Sequence, residues 1–243
     1  MNKVVIVTGA SRGIGAATAV LLASQGYAVC INYRVQEQAA KQVLQTILEA
    51  GGVAIAVAAD VSCEADVAEL FLKAEAQLGS VTHLVNNAGI LKAQSALSKM
   101  TTSRFQQVLT TNVMSCFLCC REALKFMSEG GAIVNVSSAA SRLGAANEYI
   151  DYATSKGAMD SLTIGLSKEV ASLGIRVNAV RPGLITTDIH ADGGEPDRAQ
   201  RLGQQTPLRR SGSPEEVAAA IAWLLSDEAS YVTGSFIDIA GGI

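Results

Sequence analysis

The sequence predicts a doubly wound α/β fold, with seven parallel strands covered by helices on both faces. Three observations lead to it. Short β-branched or apolar runs alternate with segments of helical period along the whole chain. The strand-like runs are apolar at nearly every position, as strands buried on both faces must be. A glycine cluster stands directly after the first run, and ligands of parallel sheets bind outside the strands' carboxyl ends.

Each element has its own reason. KVVIVT is the first strand, and GIGAATAVLLASQG follows with helical spacing and a closing glycine. YAVCINY is the second strand, and VQEQAAKQVLQTILEAGG reads as an amphipathic helix stopped by glycines. VAIAVAA leads into a helix over Glu64 to Leu78, and VTHLVNNAG into one long helix over Thr101 to Met127. GAIVNVSS is the fifth strand, TSKGAMDSLTIGLSKEVASLG the next helix, IRVNAV the sixth strand and GSFIDIAG the seventh. No composition shift, repeat or Pro-rich linker divides the 243 residues, so a single domain over 1–243 is expected. Thr186 to Ser213 is long, polar and Gly-rich, and a lid over the crevice is its expected role.

Composition narrows the function. Nearly half the residues (49%) are hydrophobic and 17% are charged, which suits a buried core rather than a disordered chain. A formal charge of −3 without a basic run gives no reason to expect nucleic-acid binding. No apolar stretch reaches the ~20 residues that span a bilayer, and MNKVVIVTGAS lacks the features of a signal peptide. A cytoplasmic protein is expected. The five cysteines then read as small hydrophobes, and with only His83 and His190 available no metal site is expected.

TGASRGIG runs from Thr8 to Gly15, between the first strand and first helix. Glycines there permit a tight turn and close approach of backbone N–H groups to a pyrophosphate, which the helix N-terminus also attracts. Gly9, Ser11, Arg12, Gly13, Ile14 and Gly15 are the candidate cradle. At the end of the second strand, where NAD enzymes place a carboxylate on the ribose, the run is Asn32-Tyr33-Arg34. Arg34 and Arg12 could clamp a 2′-phosphate in its place, so NADP(H) is the expected cofactor and NAD(H) the alternative.

The chain resembles the short-chain dehydrogenase/reductase family over essentially its whole length. The family's motifs occur in order: TGASRGIG, NNAG at Asn86 to Gly89, YATSK at Tyr152 to Lys156, RPG at Arg181 to Gly183 and YVTG at Tyr231 to Gly234. Bacterial glucose-dehydrogenase-like and 3-oxoacyl-carrier-protein-reductase-like members are the nearest in pattern. The resemblance implies a Rossmann-like single domain with Asp60 and Val61 at the adenine and Asn87, Ala88 and Gly89 along the cofactor. It implies Pro182, Gly183, Ile185 and Thr187 at the nicotinamide, and a tetrad of Asn112, Ser138, Tyr152 and Lys156. Within VSS the second serine fits the family position better. Ser137 stays open as the alternative, because the loop SRLGAANEYID is one residue longer than in many relatives.

These residues suit proton transfer to or from a carbonyl. Tyr152 and Lys156 lie four apart, on one helix face. A free phenol has a pKa of about 10, and a neighbouring ammonium favours its ionised form. Ser138 would hydrogen-bond the substrate oxygen as charge develops, and Asn112 would anchor a water leading from Lys156 to solvent. His190 is expected to be a surface-loop histidine. The expected reaction is NADP(H)-dependent hydride transfer to or from a small carbonyl or secondary alcohol, such as a sugar, a polyol or a similar metabolite.

Reduction of acyl-carrier-protein thioesters is the alternative. It is weakened by Glu129 and Leu173, where such reductases commonly carry positive charge. A non-catalytic dinucleotide sensor on the same fold is a further alternative, disfavoured because Tyr152 and Lys156 are both kept. Two helices carry more apolar residues than one stripe needs: Val113, Phe117, Leu118 and Leu124 on the first, Leu162, Ile164, Leu166 and Val170 on the second. Relatives pair these helices across a two-fold axis, so a homotetramer is expected.

Overall fold

A computed structural model describes residues 3–243. Seven parallel strands form one sheet in the order β3-β2-β1-β4-β5-β6-β7. They are β1 (Val4–Val7), β2 (Ala28–Tyr33), β3 (Val53–Ala58), β4 (Val81–Asn86), β5 (Ala132–Val136), β6 (Arg176–Pro182) and β7 (Phe236–Ile239). The order reverses between β1 and β4, and the crevice of a doubly wound sheet opens at such a switch point.

Helices cover both faces. In chain order they are α1 (Gly13–Ser24), α2 (Glu37–Glu49), α3 (Glu64–Leu78), α4 (Thr102–Leu109), α5 (Ser115–Phe126), α6 (Ala140–Leu143), α7 (Ile150–Glu169), α8 (Ile189–Asp192), α9 (Arg198–Gly203) and α10 (Pro214–Leu225). Strand alternation divides the core in two. Val4 and Ile6 of β1 join Leu70 and Phe71 of α3 on one face, while Val5 and Val7 join Leu22 of α1 and Ile221 of α10 on the other. Burying a side chain such as Phe71, wholly inaccessible here, contributes roughly 2–3 kcal/mol. β3 is an edge strand, and its Val53 is 58% exposed, so the reading of strands apolar on both faces holds best for the inner ones.

One expectation is corrected and another is filled in. The long helix over Thr101 to Met127 is α4 and α5 joined by a π-helical turn, Thr110–Met114. The wider turn contains Asn112, whose side chain is drawn into the sheet side of the molecule, and such turns are common at functional sites. The polar stretch after β6 is not featureless, because it holds α8 and α9 and returns to the body through a bridge from Ile185 to Gly212. It ends at α10 in a capping box: Ser213 accepts from the Glu216 N–H while the Glu216 carboxylate accepts from the Ser213 N–H, with Pro214 at the first turn.

Candidate active site

The glycine turn forms between β1 and α1 because its backbone needs positions closed to other residues. Gly9 has φ +60°, and a Cβ there would stand 2.9 Å from the Ala88 Cα. A Cβ on Gly15 would lie 2.5 Å from the Asn87 amide nitrogen. Thr8, a residue the sequence reading gave no role, ties the turn to β4: its hydroxyl accepts from the N–H groups of Asn87 (2.9 Å) and Ala88 (3.0 Å). Asn87 returns the contact, donating to the carbonyls of Thr8 (2.9 Å) and Gly9 (3.0 Å).

A cavity of about 440 Å³ opens over this cradle, and Ser11, Gly13, Ile14, Asn32, Tyr33, Asp60 and Val61 line it. The open backbone of the turn, the depth of the groove and two arginines on its wall fit a phosphorylated dinucleotide. Asn32 is a scaffold for the groove: its buried amide accepts from the Gly9 N–H (3.2 Å) and donates to the Ala59 carbonyl (3.1 Å). The two arginines are not free. Arg34 lies 3.4 Å from Asp60, and Arg12 is paired with Asp192 and stands 3.7 Å from Asp188. Burial works upward on the Asp60 carboxyl, but hydrogen bonds from Ser62 and the nearby Arg34 outweigh it and hold the group below its ordinary range.

A second cavity of about 320 Å³ meets the first along Ile14, Asn87, Gly89, Thr187 and Ile189. Ser138, Tyr152 and Lys156 stand on its wall, together with Pro182, Gly183 and Ile185. α7 brings the tyrosine and lysine together, and its start is fixed from α4. Arg104 donates to the buried Asp151 in the first turn of α7 (2.7 Å) and to the Ala93 carbonyl (2.6 Å). The serines separate cleanly. Ser137 is buried and donates to the Lys156 carbonyl at 3.3 Å, while the Ser138 hydroxyl donates to the Pro182 carbonyl at 3.5 Å and accepts from the Ala140 N–H at 3.1 Å.

The electrostatics differ from expectation. The buried Lys156 ammonium donates to the Val136 carbonyl at 2.7 Å and stands 5.5 Å from the Tyr152 ring centre. Burial pushes the Tyr152 phenol up to about 12, against the opposing pull of Ser138. Burial likewise brings Lys156 down to about 8. The phenol is therefore held neutral, and no lowering from Lys156 acts on it. Asn112 is fully buried; it accepts from the Ile90 N–H (2.8 Å) and donates to the Ile90 carbonyl (3.1 Å) and Ser155 (3.0 Å). Both amide N–H groups of Asn112 are thus engaged within the protein.

Sequence reasoning missed one wall of this cavity. Arg198 of α9 is 11% exposed at its side chain and forks onto Glu148 at 3.0 and 2.6 Å, with Glu195 at 3.2 Å. His190 is buried, contrary to the surface-loop expectation, and its Nε2 lies 2.9 Å from the Ile185 carbonyl. The separation of fifty residues between Glu148 and Arg198 hides that pair from any local pattern. Among the described residues no cluster of His, Cys, Asp and Glu could hold a metal ion, and no helix is long and apolar enough to cross a membrane.

Comparison with known proteins agrees with this geometry. A family model described as enoyl-(acyl carrier protein) reductase matches residues 9–243. The uncharacterized oxidoreductase YgfF of Escherichia coli K12 is 56% identical over 98% of this chain and 99% of its own. The 3beta-hydroxysteroid dehydrogenase 1 of Eggerthella lenta is 40% identical over 100% of this chain and 94% of its own. Among solved structures, a short chain dehydrogenase of Burkholderia cenocepacia in complex with NADP superposes with a TM-score of 0.92, at 32% identity, covering 99% of this chain and 97% of that one. With the cradle, the paired cavities and whole-length similarity together, the chain belongs to the short-chain dehydrogenase/reductase family of NAD(P)-dependent oxidoreductases.

Proposed function

We propose that this protein is an NADP(H)-dependent reductase of a small, uncharged carbonyl compound, acting in reverse on the secondary alcohol. The observation that carries this reading is that Ser138, Tyr152 and Lys156 line one cavity that adjoins the cradle. The nicotinamide, when bound, supplies the hydride. Asn87, Gly89, Pro182, Gly183, Ile185 and Thr187 would hold its ring end where the two cavities meet, and Arg12 and Arg34 its adenosine end. Ser138 hydrogen-bonds the carbonyl oxygen, and Tyr152 gives that oxygen its phenolic proton as charge develops there. The Lys156 ammonium then stabilises the tyrosinate left behind. Asn112 positions the loop at Ile90 against α7 rather than touching substrate. The segment 186–213 acts as the lid of a single domain and keeps water from the reacting oxygen.

The rest of the wall supports the substrate class. Leu91, Leu143, Tyr149, Ile189, Leu202 and Ile243 make it largely apolar. Its charged side chains besides Lys156 are Glu148 and Arg198, which neutralise each other. Within the range of small carbonyls, such a wall favours a compact apolar ketone over a polyhydroxylated sugar. Carrier-protein thioesters are further disfavoured, since Glu129 adjoins the turn at Gly174 beside the 57%-exposed Leu173, with no positive charge at either position. A substrate panel followed by NADPH absorbance tests this. Turnover should be fastest with apolar ketones and small diketones, and slower with sugars and acetoacetyl thioesters. Preference for the thioesters would reject the reading in favour of the fatty-acid alternative.

Assembly as a homotetramer belongs to the same proposal. Met114, Phe117 and Ile164, at 45, 41 and 42% exposed, remain uncovered on the π-helical turn, α5 and α7 respectively. Light scattering should give about four times the 25.2 kDa chain mass, and a stable monomer would contradict it.

A further inference from the structure

We propose that Asp188 and Asp192 set how strongly the protein discriminates a 2′-phosphorylated dinucleotide from its unphosphorylated counterpart, by competing with that phosphate for Arg12. The proposal rests on the NADP(H) reading above and goes beyond it. These two acids lie neither in the glycine cradle nor at the end of β2, where cofactor selectivity is usually sought.

Arg12 sits at the start of α1, and its side chain, 42% exposed, crosses the mouth of the larger cavity to the segment after β6. There one guanidinium nitrogen pairs with Asp192 and another stands 3.7 Å from Asp188. All three residues line the 440 Å³ cavity. Arg34 and Asp60 face each other at 3.4 Å on the same wall. The groove thus carries three carboxylates against two guanidiniums, an unfavourable balance for a ligand bearing several phosphate charges.

The acids are not equivalent. Asp60 accepts two hydrogen bonds from Ser62, through its N–H at 3.0 Å and its hydroxyl at 2.6 Å, so it keeps partners when Arg34 turns away. Among the described residues, Asp188 and Asp192 show no other side-chain partner for their carboxylates. A 2′-phosphate that takes Arg12 must therefore displace these two acids, and they remain beside it as uncompensated charge. An unphosphorylated ribose has no claim on Arg12 and leaves the pair in place. The acids consequently oppose NADPH more than NADH, and temper the preference that the arginines create. Exposed ion pairs are individually weak, so the competition amounts to a few-fold in affinity and shrinks as salt screens it.

The test is equilibrium titration of the full chain with NADPH and with NADH, read by nucleotide fluorescence rather than turnover. The proteins are wild type, D192N, D188N/D192N, R12Q and R12Q/D188N/D192N. Both acids are exposed (68 and 47% at the side chain), and asparagine keeps their shape, so the fold is not at stake. At low ionic strength D188N/D192N should bind NADPH about three- to tenfold more tightly, with D192N part of the way there. NADH should gain clearly less, and the difference should vanish when Arg12 is also replaced. Unchanged or weaker NADPH binding in the asparagine variants overturns the proposal. So does an equal gain for both nucleotides, or a selective gain that persists without Arg12. The two readings fail differently: R12Q binding NADPH as wild type does would remove the phosphate clamp itself and this proposal with it. Loss of NADPH affinity in R12Q with no gain in D188N/D192N removes the competition alone.

Discussion

Lys156 donates its ammonium to the Val136 carbonyl at the end of β5, at 2.7 Å, so the cation of the site is anchored to the sheet rather than to Tyr152. Burial brings its pKa down to about 8. Lys156 is therefore charged below that pH and neutral above it. In the proposed mechanism the ammonium stabilises tyrosinate after proton transfer, so kcat for carbonyl reduction should fall as pH rises through about 8. In Lys156→Arg, whose guanidinium stays charged, that falling limb should disappear even where the overall rate is lower. A pH profile with the same limb in both proteins would show that another group produces it.

Asn112 links three parts of the molecule through Ile90 and Ser155. Asn112→Ala would leave buried partners of the amide unmatched, at a cost of about 1–3 kcal/mol. Thermal or urea unfolding of the variant should show that loss without any ligand. Wild-type stability with reduced turnover would instead assign Asn112 a direct part in the chemistry.

His83 governs behaviour in acid. It is buried on β4, with its Nδ1 2.7 Å from the Thr82 hydroxyl and its ring edge-on to Tyr27. Burial foremost, with Lys3 nearby, lowers its pKa to about 4 from the ordinary 6.5. The unfolded chain therefore binds a proton that the folded one refuses. Stability should decline as pH falls from about 6.5 to about 4, by roughly 3 kcal/mol from this group. His83→Gln should flatten that part of the stability curve, measured by urea titration at several pH values. An identical slope in both proteins would rule His83 out as its source.

Much of this architecture is legible in the sequence because the signals are local. Strand runs, glycine turns and the Tyr152–Lys156 spacing each fit within one or two turns of chain, and helix α3 is found where Glu64 to Leu78 predicts it. The π-helical turn is invisible to periodicity, because it follows from where the Asn112 side chain finds partners on Ile90 and Ser155. The Arg198–Glu148 wall, the Arg12–Asp192 pair and the burial of His190 depend on contacts between distant segments, which no spacing rule reports. The Tyr152 phenol is a subtler case. Spacing sets a lysine one turn away, but burial raises the phenol against the opposing pull of Ser138, and only the folded cavity reveals that balance.

The central claim is that Tyr152 delivers the proton to the carbonyl oxygen while other groups bind and orient. Tyr152→Phe removes the phenolic hydroxyl and little else, so the decisive measurement is kcat for NADPH-dependent ketone reduction, alongside NADPH affinity by titration. Tyr152→Phe should lose about 10²–10⁴-fold in kcat with NADPH binding nearly unchanged. A loss smaller than about tenfold, with the variant folded and binding NADPH normally, would contradict that role for Tyr152.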